Sequence, residues 1–149
     1  MGLVAMYENE LVVNFRTYES AGIFLFSMAD QGDMLVAQLT HGRVEVHFDF
    51  GSLSRSTISG GRALNDGEWH EMRWTHQFDS VHLHVDGVLV NATVPAGLYR
   101  KLDFNHQVEV GGRPEDPYSP ELHSTYHGCL ARVELNNINL LEAAPRGTR

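Results

Sequence analysis

Apolar and polar side chains alternate with a period of two along much of this chain. Leu11, Val13 and Phe15 are interleaved with Val12, Asn14 and Arg16; Val44, Val46, Phe48 and Phe50 with Glu45, His47 and Asp49; Val81, Leu83 and Val85 with His82 and His84. Successive side chains of a strand point to opposite faces, so each run predicts a strand with one buried face and one half-exposed face. Ile23-Phe24-Leu25-Phe26 is continuously apolar and predicts a strand covered on both sides. Further strands are expected over 34–39, from Trp69 to a polar break at Gln77 to Ser80, over 89–94, 108–110 and 128–137, with a short edge strand around Thr57-Ile58. In the last long strand Cys129, Ala131, Val133 and Leu135 share one face. No stretch carries a sustained i, i+3, i+4 pattern, and turn signals recur roughly every ten residues, so the domain reads as all-β. The pattern points to a sandwich but does not by itself choose between a jelly roll, an immunoglobulin-like fold and a barrel.

The turns are equally legible. His41-Gly42 and Asp86-Gly87 carry the residue types that tight hairpins require, and Asn65-Asp66-Gly67 reverses the chain before Trp69, which is expected to anchor the core. Residues 113–127 form a long loop with Pro114, Pro117 and Pro120, a length often tied to function.

Within 149 residues there is enough chain to bury a core without metal or disulfide staples. Lys and Arg total 11 against 19 Asp and Glu, and the net charge of -8 disfavours nucleic acid and anionic membranes as partners. No apolar run approaches the ~20 residues of a membrane span, and the N-terminus lacks the charged head and apolar core of a signal peptide, as expected of a module whose targeting signal lies elsewhere.

Several segments together resemble the laminin G-like domains of laminins, neurexins, agrin and contactin-associated proteins. They are Leu11-Val13-Phe15 with Gly22-Ile23-Phe24-Leu25-Phe26, the hairpin His41-Gly42-Arg43-Val44, Asp66-Gly67-Glu68-Trp69-His70 with Val85-Asp86-Gly87, Val108-Glu109-Val110-Gly111-Gly112, and Tyr126-His127-Gly128-Cys129-Leu130 running on to Asn136. The resemblance covers residues 10–141, between an extension over 1–9 and a tail over 142–149 expected to be disordered. It implies a two-sheet antiparallel jelly-roll sandwich of the concanavalin-like type. It also implies an extracellular, non-catalytic adhesion module that binds a cell-surface or matrix protein, or its glycans, through loops at the sandwich rim.

Residue by residue, the resemblance implies a weak rim site for Ca²⁺. Asp33 would supply a carboxylate, Phe50 a backbone carbonyl, and Asp103 or Asn105 the remaining protein oxygens. It further implies that Cys129 pairs with a cysteine beyond Arg149, since none follows it here, leaving a thiol buried among Ala131, Val133 and Leu135. Asn91-Ala92-Thr93 is an N-glycosylation sequon, expected at an exposed position. Arg55, Arg62, Arg100 and Lys101 are the cations that would form a glycosaminoglycan patch if they met on one rim.

Other chemistries are weaker. His82 and His84 point to one face as a chelating pair can, but Val81, Leu83 and Val85 define the buried side, so the histidines are expected on a solvated one. His70-Glu71 lacks the second histidine of a zincin, with Trp74 in its place. Glu45 and Asp49 share a strand face as glycosidase carboxylates do, yet no third carboxylate joins them. An apolar-ligand carrier of the steroid-binding-globulin type would need a cleft between the sheets.

Overall fold

The apolar alternations of the sequence become the strands of two packed sheets. The computed structural model describes residues 7–29, 32–51, 54–102, 108–117 and 121–143. In chain order the elements are β1 (Glu8–Arg16), β2 (Gly22–Met28), β3 (Met34–Thr40), β4 (Arg43–Asp49), β5 (Ser56–Gly60), β6 (His70–Gln77), β7 (Ser80–Val85), β8 (Val88–Thr93), β9 (Val108–Val110), β10 (Cys129–Leu135), β11 (Ile138–Asn139) and one helical turn, α1 (Leu140–Ala143). One sheet has the order β11-β10-β1-β6-β7-β8 and the other β5-β4-β3-β2-β9. All pairings are antiparallel, giving the jelly-roll sandwich.

Between the sheets lie Leu11, Val13 and Phe15 of β1, Val44, Val46 and Phe48 of β4, Met72 and Trp74 of β6, and Val81, Leu83 and Val85 of β7. The hairpins follow from local chemistry. His41-Gly42, Asp86-Gly87 and Asn136-Asn137 each place two consecutive residues at positive φ, from 52° to 81°, as type I′ turns require. The third of these, which joins β10 to β11, is a turn the sequence reading missed.

β2 and β3 are buried at nearly every position, as the apolar run at Ile23 predicts. The cover on their outer face is a second apolar cluster, in which Leu122 from the long loop packs on Ile23, Phe26, Met34 and Val36. The expectation that Glu45, His47 and Asp49 lie on a half-exposed face holds only for Glu45. His47 is 1% exposed and Asp49 is buried. The Gln38 amide donates to Glu45 (2.8 Å) and to the Glu121 carbonyl (3.2 Å), while its oxygen accepts from the His123 backbone (2.9 Å). His47 Nε2 lies 2.7 Å from Glu45 Oε1. Burial of these polar groups is tolerated because each is hydrogen-bonded.

Two further expectations are overturned. Trp69 is not a core residue: it is 49% exposed, in the turn before β6, and the even-numbered residues Met72, Trp74 and His76 face inward. Parity therefore turns Trp69 outward, and the buried tryptophan is Trp74. Cys129 is exposed rather than buried. The β1–β10 register shifts between Asn14 and Phe15, so that Asn14 pairs with Arg132 but Phe15 with Leu130. The extra residue, Ala131, flips the parity of what precedes it; Leu130 packs on the core and Cys129 turns to solvent. Native protein is accordingly expected to react with a bulky thiol reagent at a rate within a few-fold of the unfolded chain. A native rate suppressed by several orders of magnitude would restore the buried thiol.

Candidate functional site

One end of the sandwich collects the features expected of a recognition surface. β3 begins there, β4 ends there at Asp49, and the β6–β7 turn at Phe78-Asp79 and the chain from Val94 to Lys101 complete the rim. Asp49 accepts from the Gly51 backbone N–H (2.9 Å), which folds the chain sharply after Phe50. Gly51 has φ 95°, and a Cβ there would lie 2.5 Å from Asp33 Oδ1. The Asp33 carboxylate thus rests directly over the Phe50-Gly51 backbone, in a space that any larger residue at 51 would fill. Asp33 is 5% exposed, and its carbonyl accepts from the Ala29 N–H (2.8 Å) to close the loop before β3.

Beside Asp33 opens a hollow of about 580 Å³. Its walls include Tyr7, Phe78, Leu98 and Tyr99, all more than half exposed, with Leu98 at 91%. The loop carrying Leu98 and Tyr99 is pinned rather than loose. Arg100 donates from Nε to Asp79 (2.5 Å) and from Nη1 to the Gly97 and Tyr99 carbonyls (2.8 and 2.9 Å). Lys101 lies over the Tyr7 ring at 5.9 Å.

The β6–β7 turn is itself propped from within. Buried His76 stacks on Phe50 with ring centroids 4.3 Å apart. Its Nε2 lies 2.9 Å from the Phe78 carbonyl, which can only accept, so Nε2 carries the proton and Nδ1 accepts from the Asn9 amide (3.1 Å). Burial pushes the His76 pKa down, against the opposing pull of the Phe78 carbonyl. The ring therefore stays neutral and holds the turn as a fixed wall of the hollow.

The opposite end has its own clasp. His70 directs Nδ1 at Asp86 (2.7 Å) and Nε2 at Asp66 (2.8 Å), joining the turn before β6 to the β7–β8 hairpin. Burial disfavours the charged ring, but the two carboxylates together outweigh it and raise the His70 pKa; the His70 hydrogen bond in turn lowers that of Asp66. A raised folded-state histidine pKa adds stability that is full below the unfolded value of about 6.5 and disappears as pH rises through the folded value. The lowered Asp66 pKa adds stability above its unfolded value of about 3.9, lost as pH falls through the folded one. The clasp is thus strongest between about pH 4 and 6.5. Between mildly acidic and mildly basic pH, the melting temperature of wild type is expected to fall further than that of His70→Gln. Parallel profiles would mean that the clasp contributes nothing. His76, whose shift has the opposite sign, is common to both proteins and cancels in the comparison.

Other sequence-derived candidates fall as follows. Asp103 and Asn105 lie outside the described residues. Arg55 has Nη1 3.4 Å from His47 Nδ1, at the start of β5, where Ser56 Oγ accepts from the Ala96 N–H (2.8 Å). It therefore shares the rim end with Arg100 and Lys101, whereas Arg62 follows the far end of β5, on the order of 20 Å away. His82 and His84 are half-buried, and no cluster of three metal-ligating side chains occurs among the described residues. Asn91 is exposed on β8. Glu45 accepts from His47 and Gln38, with its pKa lowered chiefly by the His47 hydrogen bond and despite burial, the reverse of what a general acid needs. Between the sheets the space is filled by fully buried side chains such as Trp74, Phe15, Phe24 and Phe48. Sequence reasoning missed Tyr7, Phe78, Leu98 and Tyr99; the signal available was an aromatic residue, Phe78, inside a break that otherwise looked polar.

Comparison with known proteins agrees with this architecture. The solved laminin α2 region LG1-3 superposes with a TM-score of 0.79 at 20% identity, covering 91% of this chain and 30% of that one. Domains LG4-5 of the mouse laminin α1 chain give a TM-score of 0.75 at 22% identity, covering 89% and 36%. In sequence, the chain is 62% identical over 144 residues to "Neurexin like receptor 1" of Caenorhabditis elegans, covering 97% of this chain and 12% of that protein. It is 28% identical over 142 residues to rat "Contactin-associated protein 1", covering 88% and 10%. The chain thus spans about a tenth of the length of the curated relatives it matches. The family profile described as "Laminin G domain" matches residues 15–138. With nearly the whole sandwich inside that match, the chain belongs to the laminin G domain family.

Proposed function

We propose that this domain is an extracellular recognition module that binds a cell-surface or matrix protein, or its glycans, through the rim built around Asp33, Phe78, Leu98 and Tyr99. The observation that carries the reading is the joint exposure of Tyr7, Phe78, Leu98 and Tyr99, the last three on loops fixed by His76 and Arg100. Pre-ordered aromatic groups are the kind of contact that dominates protein interfaces, because little rotamer entropy is lost on binding. No helix among the described residues is long and apolar enough to cross a membrane. Catalysis has little support, since Glu45 is held ionised by its hydrogen bond from His47. Binding of the purified domain to cells that display its partner is expected to drop at least roughly tenfold in Leu98→Asp/Tyr99→Asp, a loss of about 1.4 kcal/mol or more, and to be unchanged in Trp69→Ser at the opposite end. Equal loss in both variants, or in neither, would refute the rim.

Calcium at the rim is part of the same proposal. Ca²⁺ takes hard oxygen ligands; the Asp33 carboxylate, packed against Gly51, would supply one such donor and the Phe50 carbonyl a second. Asp103 or Asn105 would supply the rest. Of the two cations beside the hollow, Arg100 is already neutralised by Asp79. With one or two carboxylates the site would be weak, with a dissociation constant on the order of 10⁻⁴ M or above. Calorimetric titration with CaCl₂ is expected to show such binding in wild type and none in Asp33→Asn. A flat titration well past that concentration, or identical titrations for the two proteins, sinks the site.

A further inference from the structure

Asn9 interrupts the apolar series of β1. It shares the inward face with Leu11, Val13 and Phe15, is 4% exposed, and stands in register opposite His76, the last inward residue of β6. Buried polar groups persist where they are hydrogen-bonded, and this pair belongs to a longer series. The Glu10 backbone N–H donates to Asn136 Oδ1 (2.8 Å), and Asn136 Nδ2 donates to Asn9 Oδ1 (2.9 Å). Asn9 Nδ2 then donates to His76 Nδ1 (3.1 Å), and His76 Nε2 to the Phe78 carbonyl (2.9 Å). Every link has its direction fixed from the two ends, because a backbone N–H can only donate and a backbone carbonyl can only accept. Turning the Asn136 amide would set its nitrogen against the Glu10 N–H, and turning that of Asn9 would set nitrogen against Asn136 Nδ2. His76 Nδ1 is therefore bare, and a proton placed there would meet a donor that cannot turn away.

We propose that Asn136 and Asn9 are positioning residues of the rim: acting through this series they fix which nitrogen of His76 carries a proton, and with it the Phe50 ring and the Phe78 turn that wall the hollow. Neither asparagine lines the hollow itself. The bearing on recognition rests on the rim reading above; the control over His76 does not. Burial and the Arg100 charge oppose a second proton on the ring, while the Phe78 carbonyl, Asp79 in the same turn and Glu8 on β1 favour it, and the balance lowers the His76 pKa. Phe50 and Trp74 face it with their rings. The closed turn thus binds fewer protons than an opened one. It is most stable above about pH 6.5 and loses stability as pH falls through the folded His76 value.

Asn136→Asp reverses the series. Its carboxylate accepts from Glu10 but has no N–H to offer, so the Asn9 amide turns to donate to it and presents Oδ1 to His76. Nδ1 must then carry a proton, and with Nε2–H still on Phe78 the ring is charged. Aspartate suits the position, since Asn136 has φ 52°, a conformation that asparagine and aspartate both tolerate. Asn137→Asp, next in the same turn at φ 68°, adds the same charge outside the series and is the control. Nitrogen chemical shifts of the ring across a pH series, with His76 assigned by its loss in His76→Gln, read which nitrogen is protonated. Hydrogen exchange of the Phe78 amide, which bonds the Tyr7 carbonyl (3.0 Å), reads the turn. Wild type and Asn137→Asp are expected to keep Nδ1 bare at neutral pH, with Phe78 protection falling several-fold on acidification. Asn136→Asp should have both nitrogens protonated at neutral pH, its Phe78 protection falling instead as pH rises, because a raised histidine pKa stabilises the closed turn below about 6.5. Asn9→Asp, which keeps the Asn136 link and demands the same proton, carries the identical expectation should Asn136→Asp not fold. Wild-type His76 protonated on Nδ1, or identical profiles in Asn136→Asp and Asn137→Asp, overturns the proposal and leaves the rim reading intact. Cell binding unaffected by Leu98→Asp/Tyr99→Asp would overturn the rim reading, while the shifts and exchange still decide the control of His76 and its turn.

Discussion

A Trp74→Ala variant is expected to lose most or all of its folded population, while Trp69→Ala melts within a few degrees of wild type. Trp74 is fully buried, pairs in register with Leu11 on one side and Leu83 on the other, and meets the Phe48 ring at 5.4 Å. Truncating a buried tryptophan costs ~3 to 5 kcal/mol in lost transfer energy and residual cavity. That is a large part of the 5–15 kcal/mol typical of a domain. Trp74→Phe should be far milder, because the ring still fills most of the space and the indole N–H, buried without a hydrogen-bond partner, is removed. Trp69 has no comparable burial to lose. Fluorescence separates the two residues directly, since the chain has only these two tryptophans. Emission from Trp69→Phe, reporting Trp74, should be blue-shifted and resistant to acrylamide, and emission from Trp74→Phe should be red-shifted and readily quenched. The inverse pattern, or a soluble Trp74→Ala with an unchanged melting temperature, would reverse the assignment of the core tryptophan.

The misassignment of Trp69 shows where sequence reading stops. A period-two pattern fixes which residues share a face but not where the strand begins, and one residue of offset moves a whole set to the other side. At β4, β7 and the start of β1 the alternation was clean, and the inward residues could be named. At β6 the apolar positions Met72 and Trp74 sit among polar neighbours, and the large Trp69 drew the phase to the wrong parity. At β10 the phase was right for Val133 and Leu135, but the bulge opposite Asn14 and Phe15 inverted it for Cys129, and no residue type in Cys129-Leu130-Ala131-Arg132 announces an unpaired position. Bulges arise from the pairing of two strands distant in sequence, which a reading of one strand at a time cannot contain.

At the rim, Asp33 and Phe50 were named only through the resemblance to laminin G-like domains, not from any pattern in the residues themselves. The apolar wall could not be named, because exposed Leu98 and Tyr99 depend on an arginine reaching back to Asp79 across the rim. A buried network such as Gln38-Glu45-His47-His123 is hidden for the same reason. Its members read as surface polar residues until Gln38 is seen to join Glu45 on the neighbouring strand to Glu121 and His123 of the long loop.

Gly128→Ala is expected to be the most damaging substitution by a small residue, costing about 3 kcal/mol, near the upper end of ordinary overpacking. The methyl group would lie 2.5 Å from the Arg16 carbonyl oxygen, 2.7 Å from Tyr126 Oη and 2.8 Å from Thr17 Cβ. Two of those neighbours cannot retreat cheaply. The Arg16 carbonyl belongs to the end of β1, where Arg16 pairs with Cys129, and Thr17 is held by its hydroxyl donating to the His127 carbonyl (2.6 Å). Tyr126 Oη sits 2.9 Å from both the Arg16 and Cys129 carbonyls, and burial pushes its pKa up to about 12, so the hydroxyl remains a donor throughout the accessible pH range. The Gly-Cys step is therefore a point of closest approach between β1 and the strand that follows, which is the physical content of that motif here. For a domain of this size the loss corresponds to roughly 6–12 °C in melting temperature. Tyr126→Phe removes one of the three collisions along with its hydrogen bonds. The double variant should therefore be less destabilised than the sum of the two singles, a coupling of on the order of 1 kcal/mol. A Gly128→Ala protein that melts with wild type, or strictly additive singles, would mean that the two strands part at Gly128 without cost.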